Sequence, residues 1–216
     1  MSKEQTKQEA APKPQKTEAK QQKSSVSIDP KYIGRLVGIL TGICLVTALL
    51  LGIVNHVTKP RIDAIQKAKM EAAMAQVLPA DEYIAWEANE SLPAHVTSLY
   101  LARSGGEGIG WVAETATSGS QGIIEMMVGM DLEGSVTGVS VVSHSETPNI
   151  GTKVVADQSV LDRFIGMSHA GGEITVKSGS NRFDGISGAT YSSKGVAAGV
   201  NAALNAVDGL SANEFQ

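Results

Sequence analysis

The stretch Asp184-Gly-Ile-Ser-Gly-Ala-Thr190-Tyr-Ser-Ser-Lys-Gly-Val196 places glycines and hydroxyls directly ahead of a helical pattern. Val196, Val200, Ala203, Leu204 and Val207 recur at helical spacing, which predicts a helix beginning near Tyr191. The first amides of such a helix have no partners within it and carry the positive end of its dipole, so they form an anion site. Gly185 and Gly188 let the backbone turn and approach a ligand closely. Thr190, Ser192 and Ser193 then stand where a phosphate would be held, or where a hydroxyl would be esterified to one. The same residue types also serve as turn and cap residues. The loop lacks the Lys-Ser/Thr ending of a P-loop and the glycine spacing of a dinucleotide fingerprint, which argues against a nucleoside triphosphate or NAD site.

Asp184-Gly-Ile-Ser-Gly-Ala-Thr190 resembles the flavinylation motif of the FMN-binding domain shared by the G subunit of the Rnf complex and the C subunit of Na⁺-translocating NADH:quinone reductase. In those families the final Thr carries FMN through a phosphoester bond, installed by a separate flavin transferase that uses FAD. The matching residue is Thr190. A second block, Ser145-Glu-Thr-Pro-Asn-Ile-Gly-Thr152, is similar to the Glu-Thr-Pro-Gly-Leu-Gly loop that lies against the flavin in the same families. It departs at Asn149, where the family has Gly; Asn is the next residue most tolerant of left-handed φ, so the turn survives.

The resemblance implies that Ser187, Gly188, Ala189 and Ser193 surround the FMN phosphate, while Glu146, Thr147, Pro148, Ile150 and Gly151 contribute to the ring pocket. Lys177 or Lys153 would place a cation near the ring, although either also reads as an ordinary solvated lysine. Trp111 and Tyr191 are candidates for stacking on the ring or for packing. Asp184 reads as a turn residue or part of what the transferase recognises, because a carboxylate beside a phosphate repels it. His144 reads as a loop residue. No catalytic residue is expected, since an electron carrier needs a held flavin rather than a triad.

The implied function is the electron-carrying G subunit of an Rnf-type ion-translocating ferredoxin:NAD⁺ oxidoreductase, a redox subunit with no independent turnover. Its partners would be the other membrane subunits and the flavin transferase. The C subunit of the NADH:quinone reductase or another flavinylated extracytoplasmic carrier is the neighbouring alternative. A membrane-tethered binding or sensor module without flavin is the alternative from a different class.

The rest of the chain must anchor and position those loops. Leu36 to Thr58 is a run of 23 residues without Lys, Arg, Asp or Glu. It is long enough to cross a hydrocarbon layer of about 30 Å. It is also longer than the roughly 7–15 apolar residues of a signal peptide, so an uncleaved anchor is expected. Residues 1–35 carry a net charge of +4 and residues 36–216 a net of −8, which favours a cytoplasmic N-terminus and an extracytoplasmic domain. Lys59, Arg61, Lys67 and Lys69 beyond the span argue the other way. The resemblance agrees with the first orientation. The single Cys44 lies inside the apolar run, and only four His occur, so neither an intrachain disulfide nor a metal centre is expected. The acidic domain has no basic stripe, and the chain is poor in aromatics, which argues against a nucleic-acid partner.

Four segments follow: a disordered basic tail over 1–32, a transmembrane helix over 33–57, a juxtamembrane helix over 58–80, and the flavin domain over 81–216. The juxtamembrane pattern, with Ile62, Ile65, Met70, Met74, Val77 and Leu78, is expected to end at Pro79. Glu82 to Ala94 reads as loop or short strand. Strands are predicted at Val96–Ala102 and Gly110–Thr115 around Gly105–Gly108, at Ile123–Met130 and Val136–Val142, and at Ile174–Lys177. A helical turn is predicted at Leu161–Ile165. The strand over 136–142 is apolar on both faces, as in a sheet covered by helices. The expected class is α+β: one N-terminal transmembrane helix, then a small, mainly antiparallel domain whose two motif loops meet at one edge.

Overall fold

The computed structural model describes residues 30–86, 92–179, 181–208 and 210. Most of the expected basic tail, residues 1–29, lies outside them. The chain divides into two units, Met1–His56 and Val57–Gln216.

In the first unit the described residues are all helical and all exposed. They open α1 (Pro30–Val77), which is long and apolar enough to cross a membrane. Leu36, Leu45, Leu49, Leu51 and Val54 all present their side chains outward. The expected anchor and juxtamembrane helices are one continuous helix, because Pro60 lies inside α1 without ending it. Proline has no amide hydrogen, so the His56 carbonyl loses its helical donor there.

The second unit is built on a sheet of β1 (Glu82–Ala85), β2 (Val96–Ser104), β3 (Glu107–Ser118), β4 (Ile123–Asp131) and β5 (Val136–Ser143). The strands lie side by side in chain order and every pair is antiparallel. Gly105 and Gly106, at φ +61° and +87°, form the two-residue turn between β2 and β3. Both central positions of a tight hairpin of this hand need positive φ, which glycine supplies without steric cost.

Both faces of the sheet are covered, as the apolar residues on both faces of the strand over 136–142 require. The last helix, α4 (Thr190–Val207), lays Val196, Val200, Ala203 and Leu204 against Leu99, Leu101, Trp111, Ile124, Met126 and Val128. Each fully buried Val, Leu, Ile or Met among them contributes about 1.5–3 kcal/mol relative to exposure. Trp111 is core here, not a ring-stacking residue. On the opposite face Ala73, Met74 and Val77 at the end of α1 pack on Val112 and Met127. Gly129 and Gly138, paired across β4 and β5, leave the gap into which the backbone of Val77 fits. A Cβ on Gly129 would stand 2.7 Å from the Val77 carbonyl oxygen. Thr137 Oγ1 donates to that same carbonyl at 2.8 Å, so the helix end is held by a hydrogen bond as well as by shape.

After β5 the chain forms the loop 144–151, then α2 (Thr152–Val155), α3 (Gln158–Leu161) and a 3₁₀ turn at Asp162–Phe164. This is a longer and more broken helical stretch than the turn expected at Leu161–Ile165. The strand expected at Ile174–Lys177 is two residues, β6 (Thr175–Val176), and pairs in parallel with β7 (Arg182–Phe183), apart from the main sheet. Lys177 at φ +65° and Gly179 at φ +81° turn the chain too soon for a longer strand. Phe164 stacks on Phe183 with ring centroids 4.2 Å apart, which ties this small pair to the core.

Candidate functional site

The helix expected near Tyr191 begins at Thr190, and its N-terminus is open. Ala189 occupies the cap position and offers no side-chain acceptor. Its carbonyl accepts from Ser193 N at 2.9 Å, so the amides of Thr190, Tyr191 and Ser192 precede the first helical bond. Gly188, at φ +84°, supplies the left-handed turn just ahead of them.

The hydroxyls at this end differ sharply in their commitments. Ser192 is 1% exposed and donates to Glu146 Oε2 at 2.6 Å. Ser193 is fully buried and its Oγ accepts from Ile186 N at 3.2 Å, which holds the motif loop to the helix. Thr190 is exposed, and its hydroxyl has no hydrogen-bond partner among the described residues. Ser187 is also exposed, but it stands outside the cavity described next.

A cavity of about 250 Å³ opens beside Thr190, lined by Ser120, Glu146, Thr147, Ile150, Gly151, Gly188, Ala189, Tyr191 and Ser192 as well. The two motif loops therefore meet, as expected, and a third segment joins them at Ser120. A larger cavity of about 480 Å³, lined by Gln66, Lys69, Glu114, Glu125 and His144, contains none of the motif residues.

Glu146 joins the three segments. Its side chain is buried, at 5% exposure. Oε1 accepts from Ser120 N at 2.7 Å and from Gln121 N at 3.3 Å, while Oε2 accepts from Ser192. The packing is close: a Cβ on Gly151 would fall 2.2 Å from Oε2, and one on Gly119 2.1 Å from Oε1. Glu146 lines the cavity, and both of its oxygens are engaged within the protein. The role of Ser120 and Gln121 was not expected, because two backbone amides leave no mark in side-chain type.

Of the other expected site residues, Thr147, Ile150, Gly151, Gly188 and Ala189 line the cavity. Ile150 is 52% exposed and Tyr191 75% exposed, so two large side chains stand open at its mouth. Pro148, Ser187, Ser193 and Lys177 do not line it. Lys177 is exposed in its left-handed turn at the end of β6, and Lys153 is exposed on α2. Among the described residues no Lys or Arg lines the cavity. Asp184 is a turn residue, paired with Arg182 at 3.0 Å, and its carbonyl accepts from Arg163 at 2.9 Å.

These features fit an FMN phosphate at Thr190. The cavity is lined by the start of α4 and by Thr190, whose hydroxyl has no partner among the described residues.

Residues 119–205 match the family model of the FMN-binding domain, and residues 30–77 match that of the RnfG N-terminal region. The G subunit of the Na(+)-translocating ferredoxin:NAD(+) oxidoreductase complex of Acetobacterium woodii is 34% identical, over 88% of this chain and 98% of the relative. The G subunit of the ion-translocating oxidoreductase complex of Methanosarcina acetivorans is 31% identical, over 86% and 98% respectively. The crystal structure of Shewanella oneidensis NqrC superposes with a TM-score of 0.42 at 19% identity, covering 55% of this chain and 62% of that one. The chain belongs to the RnfG family, the G subunits of ion-translocating oxidoreductase complexes.

Proposed function

We propose that this chain is the electron-carrying subunit of an ion-translocating ferredoxin:NAD⁺ oxidoreductase, working through FMN bound covalently at Thr190. The observation that carries the reading is the state of the hydroxyls. At the open end of α4, Thr190 lines the cavity and is exposed and uncommitted, whereas Ser192 and Ser193 are buried and bonded. A transferase can reach only a hydroxyl that is accessible. The attachment forms a bond from Thr190 Oγ1 to the phosphorus of the FMN half of FAD, breaks the FAD pyrophosphate link, and releases AMP and the hydroxyl proton.

FMN would supply electron transfer. The chain's own residues hold its phosphate with the amides after Ala189 and flank its cavity with Ile150 and Tyr191. Covalent retention suits a shallow site with no cationic pocket, because the bond replaces affinity. In the same reading residues 33–57 span the membrane, 58–80 link the span to the flavin domain, and 81–216 hold the flavin. The basic N-terminus lies in the cytoplasm and the acidic domain outside it. The other membrane subunits of the complex are the electron partners.

The test is production of the full chain together with a flavin transferase. In-gel flavin fluorescence and a mass increase of one FMN adduct on the peptide containing Thr190 are expected, and Thr190→Val should abolish both. Colourless wild-type protein with an unmodified peptide would refute the reading.

A further inference from the structure

We infer that Glu146 is a potential-setting residue: its buried charge, partly masked by the Ser192 hydroxyl, holds the midpoint potential of the flavin down. This rests on the reading that FMN is attached at Thr190. The carboxylate lines the cavity beside Thr190 and is 5% exposed. It forms no ion pair among the described residues, and no Lys or Arg lines the cavity. Among the described residues, its hydrogen-bond partners are the Ser120 and Gln121 amides and the Ser192 hydroxyl. Three dipoles orient a carboxylate but leave its net charge in place beside the cavity.

A flavin that takes up two electrons with fewer than two protons gains negative charge. A fixed negative group nearby therefore opposes reduction. The geometry makes two opposite predictions. Glu146→Gln removes the charge while its amide oxygen can still accept from Ser120 N and its NH₂ can donate to Ser192 Oγ. Ser192→Ala removes one masking dipole and leaves the charge in place.

The experiment is a redox titration of the full-length, flavinylated chain, followed by flavin absorbance, after intact mass has established loading. For Glu146→Gln the ratio of reduced to oxidised flavin at a fixed ambient potential should rise about tenfold. That is an upward shift of about 30 mV for a two-electron couple. Ser192→Ala should shift the potential in the other direction. Loosened loops alone would move both variants the same way, so shifts of the same sign, or an unchanged potential in Glu146→Gln, overturn the assignment. If Glu146→Gln does not fold, the sign of the Ser192→Ala shift decides: downward supports the assignment, and upward or zero overturns it. Wild-type protein without a flavin adduct overturns the attachment reading, and this inference with it, before any titration is run.

Discussion

Ser192 Oγ lies 2.6 Å from Glu146 Oε2, although 46 residues separate the two in the chain. That contact fastens the start of α4 to the loop that follows β5. The other oxygen of the same carboxylate holds the turn between β3 and β4 through Ser120 and Gln121. Three segments distant in sequence thus share one buried acceptor group. The cavity beside Thr190 is defined by that junction.

Gly151 has no room for a side chain there. A Cβ at this position would meet Oε2 of Glu146 at 2.2 Å and Ser192 Oγ at 2.8 Å, while the φ of −65° is open to any residue. Gly151→Ala should therefore act through crowding alone and destabilise the protein by about 1–3 kcal/mol. Thermal or denaturant unfolding of the full chain in detergent measures it. Stability equal to that of the wild type would mean that the junction yields freely.

The hydroxyls beside the helix start should separate by function. Ser193→Ala removes the acceptor of the Ile186 amide and should cost about 1 kcal/mol. It should leave attachment at Thr190 intact, as should Ser187→Ala, because neither residue lines the cavity. Peptide mass after co-production with a transferase reads the adduct directly. Loss of the adduct in either variant, with the fold retained, would move the attachment chemistry away from Thr190 acting alone.

The sheet was legible because its signals are local. Apolar runs in β2 to β5 and the paired glycines at 105 and 106 define strands and a turn without reference to the rest of the chain. The start of α4 was legible for the same reason. Other features depend on residues far apart. The short parallel pair of β6 and β7 has two residues in each strand, too few to show a period. Glu146 in sequence is one acidic loop residue, and its amide donors lie 25 and 26 residues away. Lys177 lies outside the cavity lining, in a left-handed turn at φ +65° that its side-chain type does not announce.

Acid should loosen the hairpin between β2 and β3. The Gly105 amide, at 2.9 Å, and then the Ser104 hydroxyl, at 3.1 Å, hydrogen-bond the Asp81 carboxylate and lower its pKa below the usual value. A pKa depressed by folding gives stability that is complete above the unfolded-state value and disappears as pH falls through the folded-state value. The stability difference between wild type and Asp81→Asn should therefore shrink as pH is lowered through the acidic carboxylate range. Amide hydrogen exchange at Gly105 would follow the same trend in the wild type. A difference independent of pH over that range would show that the carboxylate's charge has no part in it.

The docking of α1 on the sheet gives a separate mechanical test. At Gly129 a methyl group would meet Thr137 Oγ1 at 2.6 Å and the Val77 carbonyl oxygen at 2.7 Å, and backbone atoms cannot swing aside as side chains do. Gly129→Ala should cost about 1–3 kcal/mol and increase protease cleavage just after Val77. Gly134→Ala is the contrasting change: no neighbour stands within 4 Å of the added Cβ, so only the strain of φ +75° applies. Cleavage after Val77 should be unchanged in that second variant.

Three non-glycine residues among those described hold left-handed backbone, His95, Asn149 and Lys177, and the last two should respond to glycine to different degrees. Asn149 sits at φ +62° in the loop that carries Glu146, and its amide donates to Thr152 Oγ1 at 2.9 Å. Lys177 sits at φ +65° after β6. Glycine at either position removes the steric penalty of a Cβ, which is about 1–2 kcal/mol for ordinary residues and smaller for Asn. Lys177→Gly should therefore stabilise the protein more than Asn149→Gly, because Asn already tolerates this conformation. Asn149→Val should do the reverse, since a β-branched side chain is the least compatible with positive φ. Chemical unfolding of the three variants ranks them, with Lys177→Gly expected above wild type and Asn149→Val below it. Because Asn149 lies between Thr147 and Gly151 at the cavity wall, Asn149→Val should also reduce flavin loading. Lys177→Gly should leave loading unchanged, since Lys177 lies outside that wall.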